Sequence, residues 1–264
     1  MKITVFTSNR PRHLYLINQM AKIADEVFAI QECTTVFPGQ VKDFFDNSPV
    51  MQEYFSYVNQ SETNIFGSIC FLKENVRQLA LKSDDLNKVS MDILKPALQS
   101  DVYVVLGSSY IKGDLIEFLV SNKAINIHMG ISPYFRGSST NFWAPYKGHI
   151  DMVGATIHML SKGLDSGDIL YHAFPKPQKI KPFDLGMMSV KVAIDSVAER
   201  VKTGQIFKIK PEVQDKSKEI LYTRNSDFTD EVAKNYLDNL PTEEEIYQRL
   251  SNRDNSLYKD IYLG

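Results

Sequence analysis

At 264 residues, with 43% hydrophobic and 23% charged side chains, the chain can bury an ordinary core, which excludes a disordered segment. Thirty basic side chains against 32 acidic ones leave a net charge of −2, so the overall electrostatics give no reason for nucleic acid as the main partner. Cys33 and Cys70 have no ligand-like spacing, which argues against a disulfide framework and against a zinc or other metal site. No apolar run is long enough for a signal peptide or a bilayer span, so a soluble, cytoplasmic protein without a membrane partner is expected.

Ile3 to Phe6 is a β-branched and aromatic run, the pattern of a central strand. A turn is expected over Thr7 to Arg12. Leu14, Ile17, Ala21 and Ala24 then recur at spacings of 3, 4 and 3, one face of a helix. Glu26 to Ile30 reads as a second strand, and strand, loop, helix, strand opens a doubly wound sheet. Phe44 to Leu98 mixes aromatic and polar residues and is expected to form mostly helices laid over the sheet. Asp101 to Leu106 is the clearest buried strand, and a helix should follow from about Gly113 to Asn122. Further strands are expected at Ala124 to His128, Val153 to Leu160 and Ile169 to Phe174. Met187, Val190, Ile194, Val197 and Val201 mark the best helix, with Asp184 as its N-cap and Gly204 as its stop.

The fold class expected is therefore α/β: a Rossmann-like, doubly wound, mostly parallel sheet with helices on both faces, complete by about residue 204. Residues 205–264 form a short C-terminal extension. From Thr223 onward it holds nine acidic and five basic side chains, and Thr242-Glu243-Glu244-Glu245 has a capping-box pattern, so part of it should be helical.

Two segments carry chemistry. If Ile125 and Ile127 point into the core, Asn126 and His128 share the opposite face and emerge together at the carboxyl end of a strand, where open α/β sheets bind ligands. Gly163-Leu164-Asp165-Ser166-Gly167-Asp168 is a glycine-flanked acidic loop directly after the strand carrying His158. An amide, an imidazole and a carboxylate suit acyl or one-carbon transfer: a donor for a developing oxyanion, a proton shuttle and an anion that holds the shuttle. On composition alone, a solvated polar pair at a strand end is the plainer reading. The constrained turn from Pro133 to Gly137 and the acidic loop shift the weight.

Asn-Ile-His at 126–128, Pro-Tyr-Phe-Arg-Gly at 133–137, Val-Gly-Ala-Thr-Ile-His at 153–158 and Gly-Leu-Asp-Ser-Gly-Asp-Ile at 163–169 together resemble the folate-dependent formyltransferase family. The likeness is firm from about Val102 to Tyr171, loose over the first strand and helix, weak from Phe44 to Leu98 and absent in the tail. By that resemblance Asn126, His128 and Asp165 match the family's catalytic trio; Asp168 follows the second glycine and does not fit. The resemblance implies transfer of the formyl group of 10-formyltetrahydrofolate, as cosubstrate, to a primary amine through a tetrahedral intermediate. Asn126 would donate to the oxyanion, His128 would move a proton and Asp165 would orient His128. The resemblance also places the folate at Leu106, Gly107, Ser109, Tyr110 and Ile111, with Gly167 beside it.

Ser8, Asn9 and Arg10 precede a helix, an anion-friendly place, and Arg12 adds charge suited to phosphate; two solvated arginines at a turn is the plain alternative. The glycine-rich phosphate loop of the glycinamide ribonucleotide enzymes is missing here. Arg136, Gly137 and Ser138 are further candidates for holding the acceptor. Trp143 fits either the acceptor site or the core, and His13, His149, His158 and His172 have no comparable partners in sequence. The 42 residues after Tyr222 are acidic, unlike the basic domain of methionyl-tRNA enzymes, and the first strand starts at Ile3, where formyltetrahydrofolate hydrolases carry a regulatory domain first. Elimination favours a sugar N-formyltransferase acting on a small-molecule, nucleotide-linked amino sugar, as in surface polysaccharide synthesis. Residues 44–98 and 205–264 would then shape the acceptor pocket or the interface of a homodimer. A formyltransferase acting on another amine and a non-catalytic folate or nucleotide binder are the rivals; the presence of all three trio residues weighs against the binder.

Overall fold

The computed structural model describes residues 1–34 and 48–264. In chain order its elements are β1 (Lys2–Thr7), α1 (Pro11–Ala21), β2 (Glu26–Cys33), α2 (Pro49–Phe66), β3 (Val76–Lys82), α3 (Met91–Leu94), β4 (Val102–Val105), α4 (Gly113–Ser121) and β5 (Ile125–Met129). There follow β6 (Phe135–Gly137), α5 (Thr140–Tyr146), β7 (Ala155–Met159), β8 (Ile169–Phe174), α6 (Pro182–Lys202), β9 (Leu221–Thr223), α7 (Asp230–Asp238), α8 (Glu243–Ser251) and β10 (Tyr262–Leu263). Eight strands form one sheet in the order β10-β8-β7-β5-β4-β1-β2-β3, parallel except for β7, which runs antiparallel to both β5 and β8. This is the Rossmann-like arrangement expected.

Period-two alternation explains the two layers of core. Ile3, Val5, Val27, Ala29, Val102 and Val104 turn to one face and pack on Leu16, Ile17 and Met20 of α1 and on Ala193, Ile194 and Val197 of α6. Phe6, Phe28, Ile30, Tyr103 and Val105 turn to the other and meet Leu115, Ile116 and Leu119 of α4. A third cluster joins Tyr54 of α2, Phe142 and Trp143 of α5 and Ala233 and Tyr236 of α7, which places Trp143 in the core. The segment after residue 204 is woven into the rest: β9 pairs with β6, β10 adds to the edge of the large sheet, and Ile246 and Leu250 of α8 pack on Ile150, Val153 and Leu185.

Three local expectations need correction. Within Phe44 to Leu98, α2 is the long helix, but Val76–Lys82 is a parallel edge strand. Arg77, Gln78, Ala80 and Lys82 are exposed there, so its alternation is too weak to read as a strand. Phe44 and Phe45 lie outside the described residues. Asp184 is not an N-cap: Pro182 opens α6 behind Lys181, and Asp184 sits in the first turn, where its charge suits the helix dipole. β2 continues past Ile30 to Cys33 because Gln31 and Glu32, polar in sequence, are buried and partnered. Among the described residues no helix is long and apolar enough to cross a membrane.

The side chain of Ile194 is fully buried between α6 and the sheet. Ile194→Ala should therefore lower unfolding free energy by about 2–5 kcal/mol in urea denaturation, the usual cost of an aliphatic core truncation.

Candidate active site

The sheet places the site by a stagger. Asn126 is level with Val105, the last residue of β4, so β5 carries Asn126 and His128 to and beyond the end of its neighbour. Ile125 and Ile127 are in the core, which leaves Asn126 and His128 facing a cavity of about 350 Å³. The loop after β4, the end of β7 and the loop between β7 and β8 form its other walls, including Leu106, Gly107, Ser109, Tyr110, Ile111, His158 and Asp165.

The structure brings the trio together. His128 Nδ1 lies 3.3 Å from Asp165 Oδ1, with both side chains largely buried. Burial alone would push the Asp165 carboxyl up, but the hydrogen bond and charge of His128 outweigh it and hold it below the ordinary carboxylate range. His128 Nε2, across the ring, has no partner in the described protein. Gly130 makes room for it: at φ +140°, a Cβ there would stand 2.2 Å from Thr140 Oγ1 and 3.2 Å from Nε2. Asp168 does not line the cavity; its carbonyl accepts from Met159 N. Gly167, expected beside the folate, is instead a packing glycine behind the wall, where a Cβ would fall 1.7 Å from the Met159 carbonyl oxygen.

His158 is the residue sequence reasoning missed. In the antiparallel register of β5 and β7, Asn126 stands opposite His158, and Asn126 Nδ2 lies 2.9 Å from His158 Nε2. His158 Nδ1 lies 2.8 Å from the Met159 carbonyl, which can only accept. The ring proton therefore sits on Nδ1, Nε2 accepts from the Asn126 amide, and the second amide hydrogen of Asn126 has no partner among the described residues. Burial, with the nearby His128 charge, pushes the His158 pKa down to about 4, so the ring is neutral at neutral pH. Only the register between β5 and β7 signals this partnership, and one sequence does not give it.

The loop after β4 is held from outside the cavity. Glu32 accepts from Ser109 N at 2.7 Å, Ser109 Oγ at 3.0 Å and Leu86 N at 3.1 Å. Asn87 donates to the Tyr110 carbonyl at 2.9 Å and accepts from Lys112 N at 2.8 Å.

Most residues expected to hold an acceptor are engaged inside the protein. Ser8 Oγ donates to the Glu32 carbonyl, Asn9 bonds both ways with the Thr34 backbone, and Ser138 N donates to the Thr223 carbonyl. Arg136 pairs with Glu219 at 2.9 Å. Of the six candidates, Gly137 lines the cavity that holds Asn126 and His128. At the start of α1, Glu62 of α2 accepts from Arg12 N at 3.3 Å and Arg12 Nη1 at 2.7 Å, with Arg10 Nη1 at 3.7 Å. An internal carboxylate thus occupies the place where these arginines were expected to meet phosphate. Arg12 still reaches a second cavity of about 320 Å³, which shares Arg12, Met129 and Ser139 with the first and is walled by Tyr54, Phe55, Phe142, Phe183, Phe228 and Tyr236.

Residues 52–178 match the family model described as formyl transferase. The methionyl-tRNA formyltransferase of Anaeromyxobacter dehalogenans (strain 2CP-C) is 38% identical over 74 residues, 28% of this chain and 23% of that protein, so the match spans less than a quarter of the curated relative. A 4-N formyltransferase from Francisella tularensis superposes with a TM-score of 0.53 at 18% identity, over 99% of this chain and 91% of its own. The formyltransferase PseJ from Anoxybacillus kamchatkensis, solved with UDP-4,6-dideoxy-4-formamido-L-AltNAc and tetrahydrofolate, gives 0.51 at 17% identity over 95% and 97% of the two chains.

Two outcomes test this geometry. Glu62→Ala should cost about 3 kcal/mol in urea denaturation, since it leaves two arginines facing each other without their shared anion. For His158, a folded pKa near 4 against 6.5 means the unfolded chain binds the extra proton between those values, so stability should fall as pH drops through that window. Urea titrations between pH 7 and 4 should show that slope, reduced by up to about 1.4 kcal/mol per pH unit in His158→Gln. Residues 52–178 thus match the formyl transferase family in sequence, and the fold around them is the one seen in the Francisella and Anoxybacillus formyltransferases.

Proposed function

We propose that the protein is an N-formyltransferase that moves the formyl group of 10-formyltetrahydrofolate to the primary amine of a nucleotide-linked amino sugar. The observation that carries this reading is the junction of the two cavities: Asn126, His128 and Asp165 lie in the first, and Arg12, Met129 and Ser139 are walls of both. A donor in one and an acceptor in the other can meet beside the trio. Leu106, Gly107, Ser109, Tyr110 and Ile111 would hold the folate by backbone polar groups and apolar surface. The aromatic second cavity suits the sugar or base of the acceptor. In this reading residues 1–204 carry the reacting groups and 205–264 brace them. The sugar-nucleotide and tetrahydrofolate bound by the Anoxybacillus protein support the pairing of ligands. The methionyl-tRNA relatives support a second reading, in which another amine is the acceptor.

In the reaction, the acceptor amine attacks the formyl carbon and the carbonyl oxygen becomes an oxyanion. The free amide hydrogen of Asn126 donates to it, held in direction by His158. His128, oriented by Asp165, accepts the proton that the amine loses on its unpartnered Nε2. The oxyanion then re-forms the carbonyl as the bond from the carbon to N10 breaks, and N10 takes the proton held on His128 Nε2 as tetrahydrofolate leaves.

Incubation with 10-formyltetrahydrofolate and a panel of amino-sugar nucleotides, following tetrahydrofolate release, tests the proposal. Release only with a matching sugar is expected. Release without any acceptor would make the protein a hydrolase, and none under any condition would make it a binder. Asn126→Ala should slow turnover about 10²- to 10³-fold. His128→Ala should slow it about 10²- to 10⁴-fold. Near-normal rates in both variants would remove the assignment.

A further inference from the structure

The segment after α6 runs beside the loop that carries Asp165. Glu212 and Ile169 exchange both backbone hydrogen bonds, at 2.7 and 2.9 Å, as an isolated antiparallel bridge. Two residues on, the Gln214 side chain is buried against the Asp165 loop. Its amide nitrogen donates to the carbonyl oxygen of Asp165 at 2.9 Å and to that of Gly167 at 2.8 Å. Both amide hydrogens are used, Gln214 is 8% exposed, and its buried Oε1 has no partner among the described residues. The amide cannot turn over, because that would set its oxygen against two carbonyl oxygens.

What this grip holds is an unfavourable backbone. Asp165 has φ +46°, in the left-handed region disfavoured for a residue with a Cβ. In that conformation its carboxylate reaches His128. The rest of the loop is tied on its other side, where Ser161 Oγ and Ser166 Oγ are 3.0 Å apart and Gly167 rests on the Met159 carbonyl. Among the described residues no other group bonds the carbonyls of Asp165 and Gly167.

We propose that Gln214, from outside the segment that resembles the formyltransferases, is a positioning residue for formyl transfer: it fixes the Asp165 loop in the one backbone conformation that keeps the carboxylate on His128. The proposal rests on the role given to Asp165 above. Gln214 touches no reacting atom; it acts through the loop.

The test is a double-mutant cycle of Gln214→Met, which keeps the volume and removes the donors, with Asp165→Asn. Turnover is read as tetrahydrofolate release from 10-formyltetrahydrofolate with the amino-sugar nucleotide panel. Folinic acid binding and thermal melting check the fold of each variant. Gln214→Met should lower kcat about 10- to 100-fold, the scale of a small misplacement, with KM for 10-formyltetrahydrofolate within about twofold. In the Asp165→Asn background it should add less than about a twofold loss. Spectra of protein labelled with ¹⁵N-histidine give a readout that needs no acceptor: Gln214→Met and Asp165→Asn should shift the His128 Nδ1 resonance in the same direction. An equal loss in both backgrounds, or a normal rate and unshifted resonance in Gln214→Met while Asp165→Asn is crippled, would overturn the proposal. A near-normal rate in Asp165→Asn would instead overturn the underlying role of Asp165, and the proposal with it.

Discussion

A chain of hydrogen bonds runs from the Met159 carbonyl through the neutral ring of His158 to the amide of Asn126, and it exists because β7 lies antiparallel to β5 with Asn126 opposite His158. A slip of one residue would turn every side chain of β7 to the other face of the sheet. Ile157 would then leave the core and His158 would enter it. The hydrophobic pattern of β7 thus fixes the direction in which Asn126 donates. The same strand leads into the loop that carries Asp165, so one register governs the direction of the Asn126 amide and the partner of His128 together.

Buried carboxylates do much of the remaining work, each in a different manner. Glu32 meets hydrogen-bond donors and organises the loop after β4. Glu62 meets two arginines and the Arg12 amide in the first turn of α1, which knits α2 to the end of β1. Asp165 meets an imidazole. A carboxylate out of water must be fully partnered, and here the partners lie on the elements whose placement the site requires.

Legibility in the sequence followed distance along the chain. The apolar runs Ile3 to Phe6 and Val102 to Leu106 are legible because burial on both faces leaves a continuous apolar stretch, and the stripe from Met187 to Val201 because burial of one helix face leaves a local period. Asn126 and His128 were visible because two-residue spacing puts both on one face. The edge strand Val76–Lys82 was not, since an exposed edge imposes little pattern on its side chains. Glu32, His158 and Gln214 were hidden for a different reason: each acts on a residue 32 to 77 positions away, through a hydrogen bond that needs only a common residue type. The charge of Ser8 to Arg12 suggests an anion site in the sequence, and Glu62, some 50 residues on, changes what that charge faces.

Gly137 lies against the carbonyl of Thr223, at φ +91° and with no room for a Cβ, where β6 takes β9 as its strand partner. That contact orders assembly in time. While the chain is being made, residues 135–137 have no strand partner until residues 221–223 have emerged, and the edge of the large sheet waits for residues 262–263. Loop closure over such separations is slow compared with forming α4 or α6. β6 beside the trio therefore gains its strand partner only once residues 221–223 have been made, whatever the state of the core behind it.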